Sequence, residues 1–404
     1  MKVLFSIGFI FALFLTGLPF SAHAATKAPV FEVSGWLPYW RAATSSADVL
    51  PHLNQFTEIN PFGYTVKSDG TLYDAANLDS ATSSYATLIA AARAQKVRVI
   101  PTVMWSDTNA IDTILSSPIL RAKHVASIVA EVKKNNWDGI DIDYEGKKAS
   151  DQAAFSAFLK QLYTSMGNKW VMCTIEARTP PGDLNTTTPI NQFQYANDLT
   201  QINKYCDRVR IMTYDQESVD KTLNAAAGTS IYTPVADPAW ITAVVQLMEK
   251  SIKPSKIEMG VATYGYEYDI TPYANNSGYL YDLLWSFNPK YATQIANSLG
   301  ITPQRDAAGE MAFTYTPTTT PATLPSGAAP ATPTNSNQAA SVLATPIAQA
   351  STALPGTIRY MTWSDATAIA QKVALTKKLG IRGIAIFKLD GGEDQGIWNV
   401  LPAK

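Results

Sequence analysis

Eight short runs rich in β-branched and aromatic residues alternate with helical stretches from residue 31 onward, and this alternation limits the architecture more than any other feature. The runs are Glu32–Leu37, Glu58–Tyr64, Val97–Val103, Gly139–Glu145, Val171–Glu176, Arg208–Tyr214, Glu258–Tyr264 and Gly383–Phe387. Eight strand signals separated by helices point to an α/β chain folded as a parallel (β/α)8 TIM barrel rather than a sandwich.

The helix signals between them are specific. Ser150 is expected to cap a helix in which Phe155, Phe158, Leu159 and Leu162 recur at helical spacing, and Gly167 ends it. A last helix starts near Ser364-Asp365, runs through Ala370 and Val373 to Leu379, and stops at Gly380. The spacing breaks between strands seven and eight, where more than a hundred residues separate Tyr264 from Gly383. That is too long for one βα loop. Pro289–Leu299 reads as a helix, with Met311–Tyr315 and Ile358–Trp363 as strands. A small α+β insertion subdomain over 270–363 is therefore expected. Within it, Thr316–Pro355 is rich in Thr, Pro, Ala and Ser and nearly uncharged, which reads as a disordered loop. There are no internal repeats.

The N-terminus reads as a secretory signal: Lys2, an apolar run from Val3 to about Phe20, then Ala22-His-Ala24, with cleavage expected after Ala24. An uncleaved anchor helix is the competing reading, which Pro19 and the small-x-small ending disfavour. The protein is thus expected to be secreted or periplasmic and off the membrane once cleaved. A net charge of -1 leaves no basic footprint for nucleic acid. Export permits a disulfide between Cys173 and Cys206, though two buried thiols are an equal alternative. Of three histidines, His23 lies in the leader, and His52 and His124 stand in ordinary surroundings. A histidine metal site or a Ser-His-Asp triad is therefore not expected.

The chemistry concentrates in Asp138-Gly139-Ile-Asp141-Ile-Asp143-Tyr-Glu145. Strand side chains alternate faces, so Asp141, Asp143 and Glu145 share one face and Ile140, Ile142 and Tyr144 the other. A core strand does not line one face with unpaired carboxylates, so this strand runs up into a polar cavity. A calcium loop starting at Asp141 would need a glutamate at its twelfth position, where Gln152 stands. Three carboxyls about 6.5–7 Å apart along a strand cannot all ionise freely, which leaves a proton for general-acid work.

This pattern resembles the signature of glycoside hydrolase family 18, the chitinase-like barrel enzymes, with every acidic position present. Met212-Thr-Tyr214-Asp215 is similar to the family's sixth strand, whose Tyr and Asp face the sugar. Gly35-Trp36-Leu-Pro-Tyr39-Trp40 resembles its first strand, Gly260-Val-Ala-Thr-Tyr264-Gly265-Tyr266 its seventh and Gly383-Ile-Ala-Ile-Phe387 its eighth. The resemblance covers the mature chain, residues 25–404, apart from the Thr316–Pro355 loop. It implies Glu145, Asp143, Asp141 and Tyr214 as catalytic residues. Asp215, Met212, Trp36, Tyr39, Phe62, Tyr64, Tyr264, Tyr266 and Phe387 are implied as sugar contacts, with Asp138 and Gly139 structural. No metal or cofactor is expected, and a monomer.

Two departures bear on substrate. Phe387 stands where many members carry a Trp under the reacting sugar, and Tyr266 where the better-studied branch often has Arg. Tyr264-Gly-Tyr266 and Ile358-Arg-Tyr-Met-Thr-Trp363-Ser-Asp365 look more like the bacterial branch that includes spore-cortex peptidoglycan hydrolases, without its LysM repeats. The resemblance implies a retaining glycosidase acting on a polysaccharide containing N-acetylglucosamine, assisted by the substrate's own 2-acetamido group. Chitin, peptidoglycan and the chitobiose core of N-glycans remain equal candidates. A lectin-like protein without activity is the alternative from another class.

Overall fold

The computed structural model describes residues 30–178, 196–219, 227–228, 230–275, 277–317 and 358–404. The expected signal segment and all but the first two residues of the expected Thr316–Pro355 loop lie outside the described residues. No helix among the described residues is long and apolar enough to cross a membrane.

Eight parallel strands close into a barrel. In spatial order around it they are Glu32–Pro38, Glu58–Val66, Thr102–Trp105, Gly139–Tyr144, Trp170–Glu176, Arg208–Met212, Ile257–Ala262 and Gly383–Phe387. Closure comes from the first strand, which pairs with both the eighth and the second. Parity sorts the side chains. Ile140, Ile142, Ile175, Val209, Ile211, Val261, Ile384 and Ile386 point outward and pack with the helices in one large apolar cluster. The residues between them point into the barrel.

Strand ends differ from the sequence expectation in places. Pro101 offers no backbone donor, so the third strand splits into Arg98–Val99 and Thr102–Trp105. The fourth and sixth strands stop at Tyr144 and Met212, which leaves Glu145, Tyr214 and Asp215 on the loops at the barrel mouth. The helix of Phe155 and Leu162 begins at Gln152, and Ser150 lies within a 3-10 turn before it. The Asp151 carboxylate there accepts from the Lys148 amide at 3.0 Å, and Gly167 ends the helix at φ 63°. The last helix, Ala366–Leu379, has Asp365 accepting from the Ala368 amide at 2.9 Å and Gly380 at φ 71°. Cys173 and Cys206 form a disulfide, with Cα atoms 5.9 Å apart, which settles the choice the sequence left open.

The insertion begins earlier than 270. The seventh barrel strand ends at Ala262, and Gly265–Pro272 starts a separate antiparallel sheet. Tyr266 therefore belongs to this sheet rather than to the barrel. Its five strands lie in the order Tyr279–Phe287, Gly265–Pro272, Ile358–Trp363, Met311–Tyr315, Gln304–Arg305. The helix Pro289–Leu299 covers one face through Tyr291, Ala292 and Ile295 against Trp285, Phe313 and Trp363. The other face presents Tyr266, Tyr268, Ile270 and Tyr360 to a cluster that includes Trp36, Phe62 and Phe387 from the barrel.

Candidate active site

Ion pairs fill the lower barrel where most barrels are apolar. At its base Glu32 accepts from Arg98 at 3.1 Å and from Arg208 at 2.6 and 2.9 Å. Above it Arg210, wholly buried, touches three carboxylates from three strands: Glu58, Glu258 at 3.1 Å and Asp141 at 3.0 Å. None of these partners of the acid motif is among the residues anticipated from sequence. A signal was present, since Arg208-Val-Arg210-Ile-Met212, Glu58-Ile-Asn60 and Glu32-Val-Ser34 alternate polar and apolar as the acid strand does.

Asp141 is the deepest of the ladder. Its Oδ2 accepts from Trp36 Nε1 at 2.9 Å and Thr102 Oγ1 at 2.8 Å, and its Oδ1 from Thr174 Oγ1 at 2.9 Å. Burial pushes its pKa up to about 6 against these three donors, and the charge on Glu258 adds to the rise. Asp143 stands two residues higher, buried, and its Oδ1 has no hydrogen-bond partner among the described residues. Burial first, then the charges of Glu145 and Asp141, hold its proton affinity well above the carboxylate range. Glu145 sits at the mouth, half-buried, its amide donating to Trp105 O at 2.9 Å. Burial, then the charges of Glu176 and Asp215 opposed by Lys147, push its pKa up to about 7.

The facing wall comes from strands six to eight. The Tyr214 ring stacks on Phe387 with centroids 5.7 Å apart and planes 19° from parallel. Asp215 takes a left-handed backbone at φ 57° and accepts from the hydroxyls of Tyr264 and Tyr266, each at 2.5 Å. Burial raises its pKa against those two donors. Phe387 also meets Trp36 at 6.0 Å, Tyr264 at 6.0 Å and Phe62 at 6.3 Å, edge to face. Met212 packs on the same cluster.

Two expected sugar contacts stand elsewhere. Tyr64 faces the helix layer, where its hydroxyl receives Trp137 Nε1 at 3.1 Å. The register slips between Phe62 and Tyr64 on pairing with the third strand, and that extra residue turns Tyr64 to the outer face. Tyr39 packs at the edge of the helix-side core, its ring 5.1 Å from that of Trp40. Trp40 packs on the cluster around Phe387, edge-on to Phe62 at 5.9 Å.

Asp138 and Gly139 have structural duties. The Asp138 carboxylate accepts from the Val99 amide at 2.8 Å and ties strand three to strand four. A β-carbon on Gly139 would lie 2.3 Å from Trp170 O, so no other residue lets the fifth strand approach so closely.

Comparison with known proteins accords with this geometry. The sequence is 25% identical over 164 residues to an uncharacterized glycosylase, YvbX, of Bacillus subtilis, covering 41% of this chain and 44% of that protein. It is 27% identical over 191 residues to chitinase B of Serratia marcescens, covering 40% and 38%. The chain thus spans less than half the length of these curated relatives. In fold it is similar to the spore cortex-lytic enzyme SleL of Bacillus megaterium, with TM-score 0.64 and 18% identity over 92% of this chain and 73% of that one. A putative chitinase domain of Desulfitobacterium hafniense gives TM-score 0.67 and 20% identity over 92% and 98%. Residues 35–392 match the family model described as glycosyl hydrolases family 18, and the chain belongs to that family.

Proposed function

We propose that the protein is a secreted, retaining glycosidase that cleaves the β-1,4 bond following an N-acetylglucosamine, using the substrate's 2-acetamido group as nucleophile. The observation that carries this reading is the pairing of Glu145 at the mouth, its pKa pushed up to about 7 by burial, with Asp143 and Tyr214 on facing walls just below. Glu145 would donate its proton to the glycosidic oxygen as the bond breaks. The acetamido oxygen would attack the anomeric carbon to close an oxazolinium ring. Asp143, having passed its proton to Asp141 beneath it, would accept the acetamido N–H and offset the positive charge, and the Tyr214 hydroxyl would donate to the acetamido oxygen. Glu145, now ionised, would take a proton from water as it opens the ring, returning the original anomeric configuration. The Cys173–Cys206 disulfide supports export, since such bonds persist in oxidising compartments.

The substrate class is tested by offering chitin oligomers, peptidoglycan and an N-glycan chitobiose core side by side. Mass spectrometry identifies products and NMR the first anomer formed. Release of β-anomeric reducing ends by the wild type, abolished in Glu145→Gln with sugar binding retained, is expected. Near wild-type turnover in Glu145→Gln would overturn the mechanism, and binding without cleavage by the wild type would make the protein a lectin.

A further inference from the structure

Beside Glu145 stands an ion pair for which the acetamido mechanism has no role. Strands four and five pair with Asp143 opposite Thr174, so continuing the parallel register sets Glu145 beside Glu176. Thr174 points inward to Asp141, and Glu176, two residues on, shares that face. Neighbouring strands lie about 4.8 Å apart, so the two carboxyls flank one another at the mouth. Lys147 reaches back under them from the loop that follows Glu145. Its side chain is 1% exposed, and its ammonium donates to the Tyr144 carbonyl and lies 3.4 and 3.5 Å from the two Glu176 carboxylate oxygens. Asn197 Nδ2 donates to Glu176 Oε2 at 2.8 Å.

We propose that Glu176 and Lys147 form a positioning pair for Glu145, setting by opposed charges how firmly that carboxyl holds its proton. The inference rests on the role proposed for Glu145. Lys147 and Asn197 keep Glu176 ionised: burial alone would raise its pKa, yet it is held below the ordinary glutamate range. A fixed anion beside Glu145 favours the protonated acid that bond cleavage needs. The ammonium beneath opposes it, so that the same carboxyl can release its proton and serve as base in the second half of the cycle. Among the described residues, the other titratable groups facing Glu145 are Asp143 on its own strand and Tyr214 and Asp215 from the sixth. They are common to every variant below.

The test is a carboxyl titration by NMR of protein labelled with 13C at glutamate, the Glu145 signal being identified by its loss in Glu145→Gln. This readout needs no turnover. Glu176→Gln should lower the upper titration midpoint of Glu145 by about one pH unit, and Lys147→Met should raise it by a similar amount. The double variant should fall between them. On whichever polymer is cut, the alkaline limb of kcat/KM should move with the midpoint. A pair that is merely structural would leave the midpoint in place or move it the same way in both variants, and either result overturns the inference. Turnover surviving Glu145→Gln would instead sink the mechanism and leave the titration shifts intact.

Discussion

Arg210 Nη1 lies 3.0 Å from Asp141 Oδ2, both side chains sealed from solvent, so the deepest acid of the ladder is tied to a fixed positive charge. The same guanidinium touches Glu58 and Glu258. Removing it leaves Asp141 and Glu258 with no cation in contact among the described residues, while Glu58 keeps Arg98 at 3.0 Å. Stranding buried carboxylates is far costlier than the pair is favourable. Arg210→Met should lower unfolding free energy by about 3–5 kcal/mol in urea titration. Adding Glu258→Gln should restore part of the loss. If Arg210→Met unfolds like the wild type, the guanidinium does not balance these acids.

The barrel was legible because its strands carry β-branched residues at every second position and their polar partners between them. The same parity placed Asp141, Asp143 and Glu145 on one wall. Tyr64 escaped it because a register slip is a property of two paired strands, and one strand's sequence does not encode it. Arg210 escaped because a buried arginine is explained only by its partners, and Glu58 and Glu258 come from strands 152 and 48 residues away in sequence (210 − 58 and 258 − 210). Tyr266 looked continuous with strand seven, since the break at Thr263 depends on that residue's bonds to the Lys388 backbone.

The pH–rate profile should carry the imprint of Glu145. In the proposed role of general acid Glu145 must be protonated to act, and its pKa is pushed up to about 7, so kcat/KM should fall as pH rises through that value. An unactivated sugar oligomer is the substrate of choice, because a good leaving group needs less of the proton. Rate constants that stay level from pH 6 to about 9 would remove Glu145 as general acid.

On the outer side of the same strand, His124 Nε2 is 2.5 Å from the Tyr144 hydroxyl, and Nδ1 is 2.5 Å from Gly70 O. A carbonyl only accepts, so Nδ1 carries the proton and Nε2 accepts from Tyr144. Burial lowers the pKa of His124 to about 4, against the pull of Gly70 O. The unfolded chain, with the ordinary value near 6.5, takes up the proton first as pH falls. Stability owed to neutral His124 is therefore full above about pH 6.5 and lost towards 4, by up to about 3 kcal/mol. Denaturation series of wild type and His124→Gln should differ in slope across that window, the wild type losing more stability, or gaining less, as pH falls. Parallel curves would rule the linkage out.

The Cys173–Cys206 bridge spans 33 residues between strand five and the start of strand six. Constraining a loop of that length in the unfolded chain is worth about 3–4 kcal/mol in the chain-entropy treatment. The Cys173→Ala, Cys206→Ala variant should lose that much unfolding free energy in urea titration, with a lower midpoint and an m-value that rises as the unbridged denatured chain exposes more surface. Equal midpoints would mean that native-state strain offsets the constraint.

Gly260 of strand seven makes room for the Tyr214 ring. A β-carbon there would lie 2.8 Å from Tyr214 Cε1 and 2.5 Å from Ile211 O, closer than atoms pack, and the ring must give way. If Tyr214 aims the acetamido oxygen, Gly260→Ala should act through that hydroxyl. Tyr214→Phe, which removes one preorganised donor, should cost about 100-fold in kcat with little change in KM. Gly260→Ala should cost a comparable factor in the wild type but add little in the Tyr214→Phe background, because the donor it misplaces is already gone. Steady-state kinetics of the four proteins, with far-UV circular dichroism to show that each is folded, give the coupling directly. A loss of equal size in both backgrounds would place the effect of Gly260 on some other group and leave the role of Tyr214 without this support.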